Sequence, residues 1–142
     1  MYQEAFGKPG IAPTWTSSDK DAVTSALGTS RVWVTIGHGI VNEVYWPSTG
    51  EPQIRDLGFI VATSSGWHEI KRVNQYDIVS APGASAPKVF RHHGPGYGLD
   101  LEIVPDPSRA VLLIRYNLTG DGARLYVPPA PHIGSSAPHN PC

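Results

Sequence analysis

Cysteine is almost missing from this 142-residue chain: a single residue, Cys142, stands at the last position, which excludes an internal disulfide framework and a thiolate metal cluster. Net charge is nearly missing too. The 11 Lys and Arg against 12 Asp and Glu leave a net charge of -1, so no field exists to gather phosphate backbones or anionic headgroups, and neither nucleic acid nor membrane is expected as a partner. No apolar run approaches the roughly 18 residues of a membrane span. The opening "MYQEAFGKPGIAPTWTSS" lacks a basic region followed by an apolar run of roughly 7 to 15 residues, so no export signal is expected. A cytoplasmic product is the expectation, although a mature secreted form would begin the same way. Helical patterning is scarce. Only "SSDKDAVTSALG" suggests a short helical turn, with Ser18 able to cap, Asp21 at the capping-box spacing and Gly28 able to stop it.

What is present is turns and alternation. Glycine and proline number 15 and 14, while apolar residues still reach 40%, a mixture that suits short strands joined by many turns. Arg31 to Ile36 ("RVWVTI") and Ile40 to Trp46 ("IVNEVYW") alternate as half-buried strands do, and the Gly37 to Gly39 reversal between them predicts a hairpin. Leu57 to Thr63 and Trp67 to Val73 predict a second hairpin, turning at Ser65 and Gly66. Further strands are expected at Leu99 to Val104, Ala110 to Leu118 and Ala123 to Val127, separated by "PDPS" and "TGDG". The segment Ala81 to Gly98, rich in proline and glycine, reads as a long loop or irregular edge. Strands without helical patterns between them predict an all-β, antiparallel sandwich.

Chemistry-bearing groups are plentiful, yet most have an ordinary explanation. Glu43, Asp56, Asp100 and Glu102 are the carboxylates from which a glycosidase pair would be drawn, but alternating strand carboxylates usually point to solvent. His92 and His93 are adjacent, so in a regular strand they face opposite ways and do not share an ion, which makes a metal site unexpected. His38, between two glycines, reads as a turn residue. "GPGYG", Gly94 to Gly98, is a turn rather than a phosphate cradle because no long helix follows it, and no cofactor is expected. "NLT", Asn117 to Thr119, fits a glycosylation acceptor, which matters only in a secretory pathway.

The densest stretch is "GHGIVNEVYWPSTGEPQIRDLGF", Gly37 to Phe59. Within it Tyr45, Trp46, Gln53, Arg55 and Asp56 combine aromatic faces with amide, guanidinium and carboxylate groups, the set that stacks on and hydrogen-bonds to sugars. The competing explanation is that Tyr45 and Trp46 fill the sandwich core on opposite faces while Arg55 and Asp56 form a weak local ion pair.

These residues also carry a resemblance. "AFGKPGIAPTW", "SRVWVTIGHGIVNEVYWPSTGEPQIRDLGFIV", "LEIVPDPSRAVLLIRYNLTGDGARLYV" and "APHIG" are similar to the N-terminal domain of bacterial glucoamylases and glucodextranases of glycoside hydrolase family 15, from about Ala5 to Gly134. "EVYWP" followed by "PQIRDLGF" is its most specific part. The resemblance implies a galactose-mutarotase-like antiparallel super-β-sandwich, here incomplete over 1–134 with a divergent tail at 135–142, placed ahead of an α/α toroid that carries the catalytic glutamates. It implies no catalytic residue in this chain. Tyr45, Trp46, Gln53, Arg55 and Asp56 would face the toroid or approach the substrate, with α-glucan oligosaccharides as possible ligands. Against the family's strand pattern, Pro128 and Pro129 remove two amide donors, so that strand should end early or lie on an edge. The fragment would leave unpaired edges that favour association.

Three functions follow from this reading. The first is a non-catalytic domain of a glucoamylase-like hydrolase. The second is a stand-alone carbohydrate-binding module with a platform of Trp46, Tyr45 and Trp67. The third, less favoured, is a mutarotase-like epimerase using His38 or His132 with Glu43.

Overall fold

In the computed structural model, residues 19–24, 28–80 and 88–131 are described. They form twelve strands and one helical turn: β1 (Ala22–Val23), β2 (Trp33–Gly37), β3 (Ile40–Tyr45), β4 (Pro52–Leu57), β5 (Ile60–Thr63), β6 (Gly66–Glu69), α1 (Ile70–Val73), β7 (Tyr76–Ser80), β8 (Lys88–Gly94), β9 (Tyr97–Pro105), β10 (Leu112–Thr119), β11 (Arg124–Tyr126) and β12 (Pro129–Pro131). Three sheets result, a five-stranded one in the order β1-β2-β3-β4-β12, a four-stranded one β10-β9-β8-β7 and a three-stranded one β11-β5-β6. Every strand pair is antiparallel, as the alternation required.

Period-two patterning builds the core directly. Val32, Val34 and Ile36 leading into and along β2 alternate inward, as do Tyr97, Leu99, Leu101 and Ile103 on β9, and one apolar cluster joins them with Ile40, Val41, Val44, Leu57, Phe59, Val61, Ile70 and Phe90. Each fully buried side chain of this kind is worth about 1.5–3 kcal/mol, so the shared cluster is what holds three small sheets together. Backbone contacts tie the edges of the sheets. Thr29 N–H donates to Pro107 O at 3.1 Å, Gly58 N–H to Pro128 O at 2.9 Å and Ile70 N–H to Phe59 O at 2.9 Å.

The turns are those the residues dictate. His38 and Gly39 both take positive φ, 56° and 68°, as a two-residue hairpin between Gly37 and Ile40 requires. Pro95 and Gly96 (φ 77°) close β8 to β9 between Gly94 and Tyr97, with proline and glycine in the places a type II turn favours. Asp106 closes the next turn, its Oδ1 accepting from the backbone of Ser108 and Arg109 at 2.8 Å each. These bonds and the Arg109 guanidinium hold the Asp106 carboxyl down at about 2.

Four expectations are corrected. Ala22 and Val23, placed in a helical turn, pair instead with Ile36 and Thr35, because a neighbouring strand overrides weak helix propensity; residues 25–27 of that segment lie outside the described residues. The expected loop Ala81 to Gly98 contains β8 and the start of β9, the alternation of Phe90 and His92 inward having been hidden among prolines and glycines; residues 81–87 lie outside the described residues. The strand expected over Trp67 to Val73 stops at Glu69, where α1 turns Ile70 into the core and ends at Asn74 in the left-handed region (φ 50°). The strand expected from Leu57 is interrupted at Gly58 and Phe59, with Leu57 closing β4. The proline argument is matched by the topology, since β11 is three residues long and β12, with Pro129, is an edge strand beside β4.

Candidate functional site

The segment Tyr45–Asp56 is an internally tied hairpin end leading into β4. Trp46 N–H donates to Glu51 O and Glu51 N–H to Ser48 O, both at 3.1 Å, while the Gln53 side-chain amide donates to Trp46 O at 2.8 Å. The Trp46–Pro47 peptide is cis. These bonds tie the two ends of the loop to each other, and Trp46 is 41% exposed. Tyr45 is half-buried, its phenol pushed above its ordinary value by burial and by the Glu43 carboxylate on the same face of β3. Neither aromatic belongs to the core cluster, so the core-packing explanation fails for both. The Arg55–Asp56 ion pair is also replaced. Neighbours along a strand point to opposite faces, and the Asp56 partner is Lys71 of α1, at 3.4 Å. The other Asp56 oxygen is buried and finds no partner among the described residues.

The remaining carboxylates are occupied by hydrogen bonds and cations. Glu43 Oε2 accepts from Thr35 Oγ1 at 2.6 Å and from Lys20 Nζ at 3.2 Å. Asp100 takes both nitrogens of the Arg91 fork at 3.0 and 3.1 Å, and Glu102 pairs with Arg115. Each of the four candidate carboxylates is thus taken up by a contact with a cation of the fold.

The adjacent histidines do separate. His93 is on the outer face against Asp77 at 3.0 Å, whereas His92 is 1% exposed, its Nε2–H donating to Gly39 O at 2.9 Å. The bare Nδ1 of His92 has no partner among the described residues, and burial pushes its pKa below the ordinary value. Around it the Tyr76 hydroxyl donates to Asp21 Oδ1 and Gly39 N–H to Asp21 Oδ2, both at 2.8 Å; burial and this bond raise the Tyr76 phenol to about 12. This is a knot that pins the His38–Gly39 turn to the four-stranded sheet. His38 is committed to Asn74 Oδ1 at 2.9 Å, while Glu43 is held elsewhere, so the epimerase pairing is not assembled; His132 lies outside the described residues. Among the described residues no group of three or more His, Cys, Asp or Glu is placed to hold a metal, and no helix is long and apolar enough to cross a membrane.

The postulated platform of Trp46, Tyr45 and Trp67 is split between sheets. Trp67, on β6, is 67% exposed and its ring partner is Tyr126 of β11, at 5.0 Å between centroids and 41° between planes. Sequence reasoning missed Tyr126. The only available signal was its alternation with Leu125, because pairing of β11 with β5 joins residues far apart in sequence.

Comparison with known proteins identifies the family. The family described as "Glucodextranase, domain N" matches residues 5–141. A glucoamylase of Clostridium sp. (strain G0005) is 26% identical over 145 aligned positions, covering 96% of this chain and 21% of the relative. The fold matches a crystal structure of a bacterial glucoamylase complexed with acarbose, with a TM-score of 0.74 and 24% identity, over 91% of this chain and 20% of that one. This chain thus spans about a fifth of the length of the glucoamylases it matches, and with nearly its whole length matched it belongs to the glucodextranase domain N family.

Proposed function

We propose that this chain serves as a non-catalytic β-sandwich domain of a glucoamylase-like α-glucan hydrolase, and that the Tyr45–Asp56 segment faces the catalytic domain. The observation carrying this reading is the domain N match over residues 5–141 combined with coverage of only a fifth of the glucoamylase relatives. The occupied carboxylates support it, because hydrolysis with inversion needs one protonated and one free carboxyl about 6.5–9.5 Å apart. The loop also suits a docking role. Its own hydrogen bonds fix its shape before a partner arrives, so little ordering entropy remains to be lost on contact, and the exposed Trp46 is the residue type that most often anchors interfaces.

The test is incubation of the purified chain with maltooligosaccharides. No glucose release is expected, and turnover above a buffer blank that scales with chain concentration would contradict the reading.

A further inference from the structure

We propose that the outer face of the three-stranded sheet, centred on Trp67 and Tyr126, is a binding surface for a neutral oligosaccharide, separate from the loop at Trp46. The register brings its residues together. On this face Arg124 and Trp67 flank Ala62 in one row, and Tyr126 and Glu69 flank Ile60 in the next. Trp67 and Tyr126 lie on outer strands of the sheet with β5 between them, and their rings meet across it diagonally, Trp67 from the Ala62 row and Tyr126 from the Ile60 row. An open depression of about 430 Å³ lined by Ile60, Trp67, His68, Glu69, Arg72 and Val73 continues from the Trp67 ring.

The chemistry favours a sugar over other occupants. Two amphipathic rings, 67% and 41% exposed, offer flat apolar area at a solvent-facing position where a folding role would bury them. The rim carries both signs side by side, Arg72 paired with Glu69 and Arg124 close by, so a ligand there meets hydrogen-bond donors and an acceptor together. An apolar protein surface laid here would desolvate these charges without replacing their hydrogen bonds. A pyranose replaces them, its hydroxyls both donating to the carboxylate and accepting from guanidinium while its C–H face rests on the indole.

Titration of the full chain with maltoheptaose, and in parallel with an α-1,6-linked isomaltooligosaccharide, followed by tryptophan fluorescence, tests this. Saturable change with either sugar is expected. Trp67→Ala and Tyr126→Ala should each weaken it at least tenfold and Trp46→Phe should leave it unchanged, with far-ultraviolet circular dichroism confirming that each variant folds. Trp67→Phe, which keeps an aromatic face, should retain part of the affinity. No saturable response to either sugar overturns the proposal, as does loss in Trp46→Phe with retention in Trp67→Ala. Neither result bears on glucose release, so this proposal and the domain assignment fail independently.

Discussion

Strand β3 runs between two turns that share a strand and almost nothing else. At one end the His38–Gly39 turn is sunk into the protein, its glycine carbonyl taken by His92 and its amide by Asp21. At the other end the Trp46–Glu51 turn hydrogen-bonds to itself and to Gln53 and displays an indole to solvent. Both belong to the one stretch, Gly37 to Phe59, that is densest in functional groups. The difference teaches that the density has two origins. The first turn gathers polar groups to satisfy buried donors and acceptors, and the second gathers them at a surface.

The largest expected break in that comparison is Gly39→Ala. A Cβ there would sit 2.6 Å from His92 Cε1 and 2.9 Å from the Tyr76 ring, at a φ of 68° that side chains resist. A loss of about 2–4 kcal/mol in urea unfolding is expected from strain and overpacking together. Next comes pH. His92 has a pKa below the unfolded value of about 6.5, so the unfolded chain binds a proton that the folded chain refuses, and stability should fall as pH drops below about 6.5. The slope from this one group cannot exceed about 1.4 kcal/mol per pH unit. His92→Gln, whose amide can still donate to Gly39 O, should flatten the profile between pH 7 and 5; an unchanged slope would show that His92 is not responsible. The smallest effect is expected at the other turn. Trp46→Ala should change stability by less than about 0.5 kcal/mol, since the indole is exposed and outside the core.

Much of the sandwich was legible because its strands repeat every second residue and its turns use glycine and proline where φ demands them. Val34 and Ile36 alternate cleanly, and His38–Gly39 form their reversal as read, while the second turn falls one residue earlier than expected, at Ser64–Ser65, with Gly66 opening β6 opposite Thr63. What escaped was set by partners distant in sequence. Ala22 and Val23 became a strand only because Thr35 and Ile36 were there to pair with, and β7 depends on β8 across residues 81–87. At the site the residue types were legible and their pairings were not. Asp56 meets Lys71 rather than Arg55, and Trp67 meets Tyr126 rather than Trp46, contacts made across sheets and helical turns that no local pattern encodes.

Backbone hydrogen exchange, compared between the chain alone and the chain mixed with the catalytic domain of a glucoamylase relative, tests the division of labour between the two turns most directly. Amides from Trp46 through Asp56 should gain protection on mixing, while those at His38 and Gly39, already held by the His92 knot, should stay as they were. Protection confined to other surfaces, with Trp46 through Asp56 unchanged under conditions where the two proteins associate, would contradict the account.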